Sequence, residues 1–183
     1  MAGAAAGIAL SLFFMFMWTA AVIVNGDWTL GEDTLSELGG TGPSEWIFNS
    51  AVIISGILGL LFTQGLWNRL RQFALSWLGC FVLASASVNL MFVGMYPIET
   101  QPHGILSVSF FAMGALAALL LLMPFRKWSG IKGVPFVTTV AMLIVSIASL
   151  ALTPIPFAEA VAVSCLMTWM FILGAWMLRE RMR

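Results

Sequence analysis

Read for polarity alone, the chain is a succession of long apolar runs separated by short polar breaks. Six runs stand out: Ile8 to Asn25, Trp46 to Trp67, Phe73 to Met95, Gly104 to Phe125, Val134 to Leu152 and Ala158 to Leu178. Each is close to the roughly 20 residues of helix that a hydrocarbon core of about 30 Å demands. The runs do not alternate in polarity as barrel strands do. In a bilayer, backbone groups must be satisfied within the segment, so these runs predict helices. The expected architecture is an all-α integral membrane protein: one six-helix bundle over residues 1–183, with no second domain.

The breaks are Asn68 to Gln72, Tyr96 to His103, Arg126 to Gly133 and Thr153 to Phe157, all short. The first connection, Gly26 to Glu45, is much longer. Within it, Asp33 to Leu38 reads as one or two helical turns, stopped by Gly39 and Gly40 in a left-handed cap. Leu35 and Leu38 would rest on the bundle. Ser44 is placed to cap the second span. The first run has no Lys or Arg ahead of it and extends through Trp18 to Val24, longer than a signal core, so it reads as a permanent span.

Composition agrees with this picture. Hydrophobic residues make up 61% of the chain and charged residues 9%, against about 25% charged in soluble domains. The charges are also sorted. Arg69, Arg71, Arg126, Lys127, Lys132, Arg179, Arg181 and Arg183 all fall in even-numbered connections or the C-terminal tail. Asp27, Glu32, Asp33, Glu37, Glu45, Glu99 and Glu159 fall on the other side, and only Glu180 breaks the pattern. Basic residues stay inside, so both termini are expected to be cytoplasmic and the acidic connections outward, in the cell membrane. Trp18, Trp28, Trp46, Trp67, Trp128, Trp176 and Tyr96 lie near span ends, as an interfacial belt requires. Ser55, Gly56 and Gly59 in the second span, with Gly114 and Ala118 in the fourth, predict close helix packing.

These features exclude several chemistries. No basic excess points to nucleic acid. Cys80 and Cys165 lie inside apolar runs, which argues against a structural disulfide. With one histidine and no Cys/His spacing, no metal site and no cofactor is expected. The span cores carry no charge, which disfavours ion-coupled transport.

The polar candidates gather toward the outer face. Asn49 and Asn89 lie one and two turns inside their spans, and either cross-link helices or contact a ligand. His103 heads the fourth span, with Ser107 one turn below it and Glu99 just before it. The expectation is that Asn49, Asn89 and His103 open into one cavity covered by the Asp33 to Leu38 turn. Asp33 and Glu37, four apart, would repel unless a cation, proton or ligand lies between them. Glu159 reads most simply as a helix N-terminal charge. Binding of a lipid, an amphipathic molecule or a partner protein ranks first. A lipid enzyme ranks second, with His103 as base, Asp33 or Glu37 orienting it, and Ser36 or Ser107 as nucleophile. A transporter ranks third.

Asp33, Thr34, Leu35, Ser36, Glu37, Leu38 and Gly39, followed by Pro43, by Trp46, Ile47, Phe48 and Asn49, and by Gly56, resemble the prokaryotic six-span family catalogued as domain of unknown function 998. Gly94, Pro97 and His103 match its stretch leading into span four. The resemblance implies the six-span fold and carries no activity with it.

Overall fold

A computed structural model describes residues 2–181. It contains six α-helices: α1 (Ala2–Asn25), α2 (Glu45–Leu70), α3 (Ser76–Met95), α4 (His103–Ser129), α5 (Val134–Leu152) and α6 (Ile155–Arg181). All six are long and apolar enough to cross a membrane. No strand occurs among the described residues; Leu30 and Asp33 make one isolated bridge.

Most of the helices reach further than the apolar runs. α1 starts at Ala2 because its alanine-rich head is itself a strong helix former. α4 passes through Pro124 and ends at Ser129, before Gly130 turns the chain at φ +78°. α6 starts at Ile155, and α2 runs on to Leu70. α3 instead starts late, at Ser76, after a turn in which Leu75 takes a left-handed φ of 68°.

Each helix packs on its chain neighbours, and α6 closes on α1, giving a ring in which α4 and α5 touch least. Neighbours run antiparallel. Gly3 near the start of α1 faces Gly65 near the end of α2, and Gly94 near the end of α3 faces Asn49 near the start of α2. The small residues set these spacings. A Cβ on Gly56 would lie 2.6 Å from the Ser87 carbonyl, and one on Gly94 would lie 2.7 Å from the Asn49 carbonyl. Only glycine allows backbones so close. Gly114 behaves otherwise: it faces open space, so the expected small-residue contact in α4 rests on Ala118, which is fully buried.

Polar side chains pin the ring from within. The Ser11 hydroxyl reaches the Met167 carbonyl at 2.7 Å, joining α1 to α6. The Trp169 indole donates to the Thr139 hydroxyl at 2.7 Å, joining α6 to α5. Trp169 also meets Phe62 and Phe125 edge-on, with ring centroids 6.0 and 6.3 Å away. These three rings, with Leu66, Leu121 and Leu173, fill the interior toward the end that carries Arg69, Arg126 and Lys127. The opposite, acidic end carries the long connection.

Candidate functional site

The Gly26 to Glu45 connection folds back over the acidic end of the bundle. Its centre is a short 3₁₀ turn, Leu35–Gly39, rather than the expected α-helical turns. Leu35 and Leu38 are fully buried beneath it. Burying two such side chains stabilises the docked turn by about 2 kcal/mol each. Gly40 is extended, at φ −74° and ψ 177°, and makes no left-handed cap. The two glycines are required for proximity instead. A Cβ on Gly39 would strike the Asn49 side chain, and one on Gly40 would lie 2.9 Å from a Glu99 carboxylate oxygen.

Four elements hold this lid by hydrogen bonds. From α1, the Asn25 amide donates to the Ser44 hydroxyl at 3.1 Å, and its carbonyl accepts the Trp28 N–H at 2.9 Å. From α2, the Asn49 amide donates to the Gly39 carbonyl at 2.8 Å. Ser44 does not cap α2 with its side chain; its hydroxyl donates to the Leu38 carbonyl at 2.8 Å. From the α3–α4 connection, Glu99 accepts the Thr41 N–H at 2.6 Å. That bond is the main reason its carboxyl is held below the usual range. From α6, Glu159 accepts the Leu35 N–H at 3.0 Å and the Ser36 hydroxyl at 3.4 Å. The Trp28 indole adds a bond to the Thr34 carbonyl at 2.8 Å.

Beneath the lid lies a central cavity of about 50 Å³. Its walls are mostly apolar, with the rings of Phe14, Phe48, Phe110 and Phe111 among them. Its polar lining is Ser36, Ser55, Ser107 and Glu159. The hydroxyls of Ser55 and Ser107 are buried and have no hydrogen-bond partner. Glu159 is the fifth residue of α6, past the first turn, so it does not serve the helix terminus as expected. It heads a stripe with Val163, Leu166 and Met167 that faces this cavity. A second space, an open groove of about 420 Å³, runs along the flank of α5, α6 and α1 past Trp18, Leu30, Phe157 and Cys165.

The expected outer site is only partly assembled. Ser36 and Ser107 do line the central cavity, and the lid does cover it. Asn49, Asn89 and His103 line neither space. Asn89 is spent on the Leu106 carbonyl at 3.1 Å, tying α3 to α4. The His103 ring is buried, with Nδ1 2.7 Å from the Tyr96 carbonyl. That contact makes Nδ1 the protonated nitrogen and leaves Nε2 buried without a partner. Asp33 accepts the Thr29 N–H at 2.7 Å and Glu37 accepts the Thr34 N–H at 2.9 Å. Neither bonds to His103, so the acid–base pairing considered from sequence is not formed. For all of these but Asn89, whose acceptor Leu106 lies in α4, the physical reason is the same. Loops expose backbone groups that helices would have satisfied, and the nearest polar side chains are consumed by them.

Sequence reading missed Asn25 and Ser55 and gave Glu159 a minor role. The signal for Glu159 was its place at the head of an apolar stripe of helical spacing.

A family model described as a protein of unknown function (DUF998) matches residues 7–176, most of the chain. No curated protein and no solved structure matches it.

Proposed function

The chain belongs to the DUF998 family of proteins of unknown function, and on that footing we propose that it is a lidded binding protein of the cell membrane, holding an amphipathic small molecule in the central cavity. One observation carries this reading: Glu159, Ser55 and Ser107 are among the residues that line the cavity, and the buried hydroxyls of the two serines have no partner in the protein. An unsatisfied buried polar group costs about 1–3 kcal/mol. A space of about 50 Å³ takes only a few non-hydrogen atoms, so the polar end of such a ligand would sit here and its tail would extend beyond the cavity.

The segregation of Lys and Arg supports an orientation with this mouth on the outer face and both termini in the cytoplasm. The lid then stands between the cavity and the aqueous exterior. An acid–base role for His103 has less support, since Asp33 and Glu37 are engaged elsewhere.

The test is photolabelling of the purified protein in phosphatidylcholine nanodiscs with a dodecyl chain carrying a diazirine. Cross-links mapped by mass spectrometry are expected on the Ser107 to Phe111 and Val163 to Met167 peptides. Labelling confined to the lipid-facing residues Leu12, Phe16 and Ile23 would overturn the reading.

A further inference from the structure

We propose that the tail of the ligand lies along the inner face of α4 at Gly114 and leaves the bundle between α4 and α5, so that the ligand is a single-chain lipid drawn sideways from the bilayer; the inference rests on the cavity being a binding site and names the class it takes. Gly114 lies four residues after Phe110, three before Ala117 and seven before Leu121, all of them buried. At about 100° per residue, that spacing puts it in the middle of the buried face of the helix. A Cβ there would nevertheless meet no atom within 4 Å. Glycines packed between helices elsewhere behave otherwise: a Cβ on Gly7, Gly59, Gly79 or Gly174 would lie 2.6–2.8 Å from an atom of an adjoining helix. At Gly114 the missing side chain leaves space instead of admitting a neighbour.

This space stands next to the cavity. Ser107, Phe110 and Phe111 line the cavity, and Gly114 follows them on the same face, one turn deeper. Between His103 and Arg126, α4 carries no charged residue. An apolar space left empty forfeits dispersion contacts, and water finds no polar partners in it. A hydrocarbon chain supplies the contacts. Deeper still, Ala117, Ala118, Leu121 and Phe125 are fully buried, so a chain cannot continue along the axis and has to turn outward. Of the neighbouring pairs in the ring, α4 and α5 touch least. Leu116 and Leu119 on α4 and Ile144 and Ile147 on α5 are exposed on the outside of these two apolar spans, so the seam gives onto hydrocarbon.

Size narrows the class. A cavity of about 50 Å³ has room for a head of a few non-hydrogen atoms, since one water needs about 10–15 Å³ by the same measure. Sugar and phosphodiester heads are too large. A slot opened by one absent side chain admits one straight chain and neither a fused ring nor a second chain. Entry through the seam also leaves the lid docked, with its bonds to Asn25, Asn49, Glu99 and Glu159 unbroken.

Moving the diazirine to the far end of the dodecyl chain tests the path in the native protein. Cross-links are expected on Gly114, Ala117 and Ala118, and labelling of only the lipid-facing Leu116 and Leu119 would overturn it. Gly114→Leu fills the slot. It is expected to melt as the native chain does and to lower cross-linking of the Ser107 to Phe111 peptide about tenfold. Dodecanol and cyclododecanol carry the same number of carbons, one as a chain and one as a ring. Dodecanol is expected to protect that peptide at a concentration about tenfold lower. Undiminished labelling of a folded Gly114→Leu, or equal protection by the two alcohols, would overturn the tail path while leaving the cavity reading intact. Absence of any cavity label would remove the cavity reading itself.

Discussion

Leu35 and Glu159 stand 124 positions apart in sequence and 3.0 Å apart in space, backbone N–H to carboxylate. That bond fastens the connection between the first two helices to the head of the last one. It makes the lid depend on the closed ring as well as on the two helices that it joins.

Loss of the Glu159 carboxylate is therefore expected to loosen the lid and spare the helices. A hydrogen bond to a charged group contributes about 1.5–3 kcal/mol. In Glu159→Ala, amide exchange at Leu35 to Gly39 should rise by roughly tenfold or more, with α2 and α3 unchanged. Hydrogen–deuterium exchange read by mass spectrometry checks this. Unaltered exchange in the turn would show that Leu35 and Leu38 dock it without help.

The glycine contacts predict a contrast within one chain. Gly56→Leu and Gly94→Leu force side chains into the α2–α3 backbone contact, and overpacking of this kind costs about 1–3 kcal/mol. Gly114→Leu enters open space and should leave the melting temperature in detergent nearly unchanged. Equal melting of all three variants would contradict the close approach of α2 and α3.

Orientation is checked by labelling. A cysteine at Thr41, in the lid, should react with an impermeant thiol reagent added to intact cells, and one at Ser129 should not. The opposite pattern would invert the topology inferred from the basic residues.

The Glu99 contact gives a pH dependence with a definite sign. Thr41 donates to this carboxylate and holds its pKa down in the folded state. A depressed carboxyl favours the folded form wherever it is ionised. Its contribution is therefore complete above the usual glutamate value of about 4.3 and is lost as pH falls through the lower folded value. The protection factor of the Thr41 amide should hold steady down to that range and then decline. Glu99→Gln should flatten the profile, and a decline that persists in Glu99→Gln would assign the effect to another group.

The helices were legible because their cause is local. A run of about 20 apolar residues has few alternatives in lipid. Even there, Leu75 and Ser76 delay α3 by a turn that hydropathy does not register. The site was harder to read. Asn49, Asn89 and His103 looked like a ring of open functional groups because their depths along the helices agree. Depth says nothing about which carbonyl a loop or a neighbouring helix will leave within reach, and the carbonyls of Gly39, Leu106 and Tyr96 took them. Ser55 was hidden for the opposite reason. A serine inside a small-residue stripe looks like packing, and only the assembled ring shows its hydroxyl without a partner.

The Phe62, Trp169 and Phe125 rings give the molecule a floor as well as a core. None of the three belongs to the lining of the space under the lid. With centroids 6.0 and 6.3 Å apart, they close the bundle toward its basic end as a plug closes a pipe, so the two ends of the same ring of helices are built differently: one filled with aromatic carbon, the other roofed by a loop over a small space.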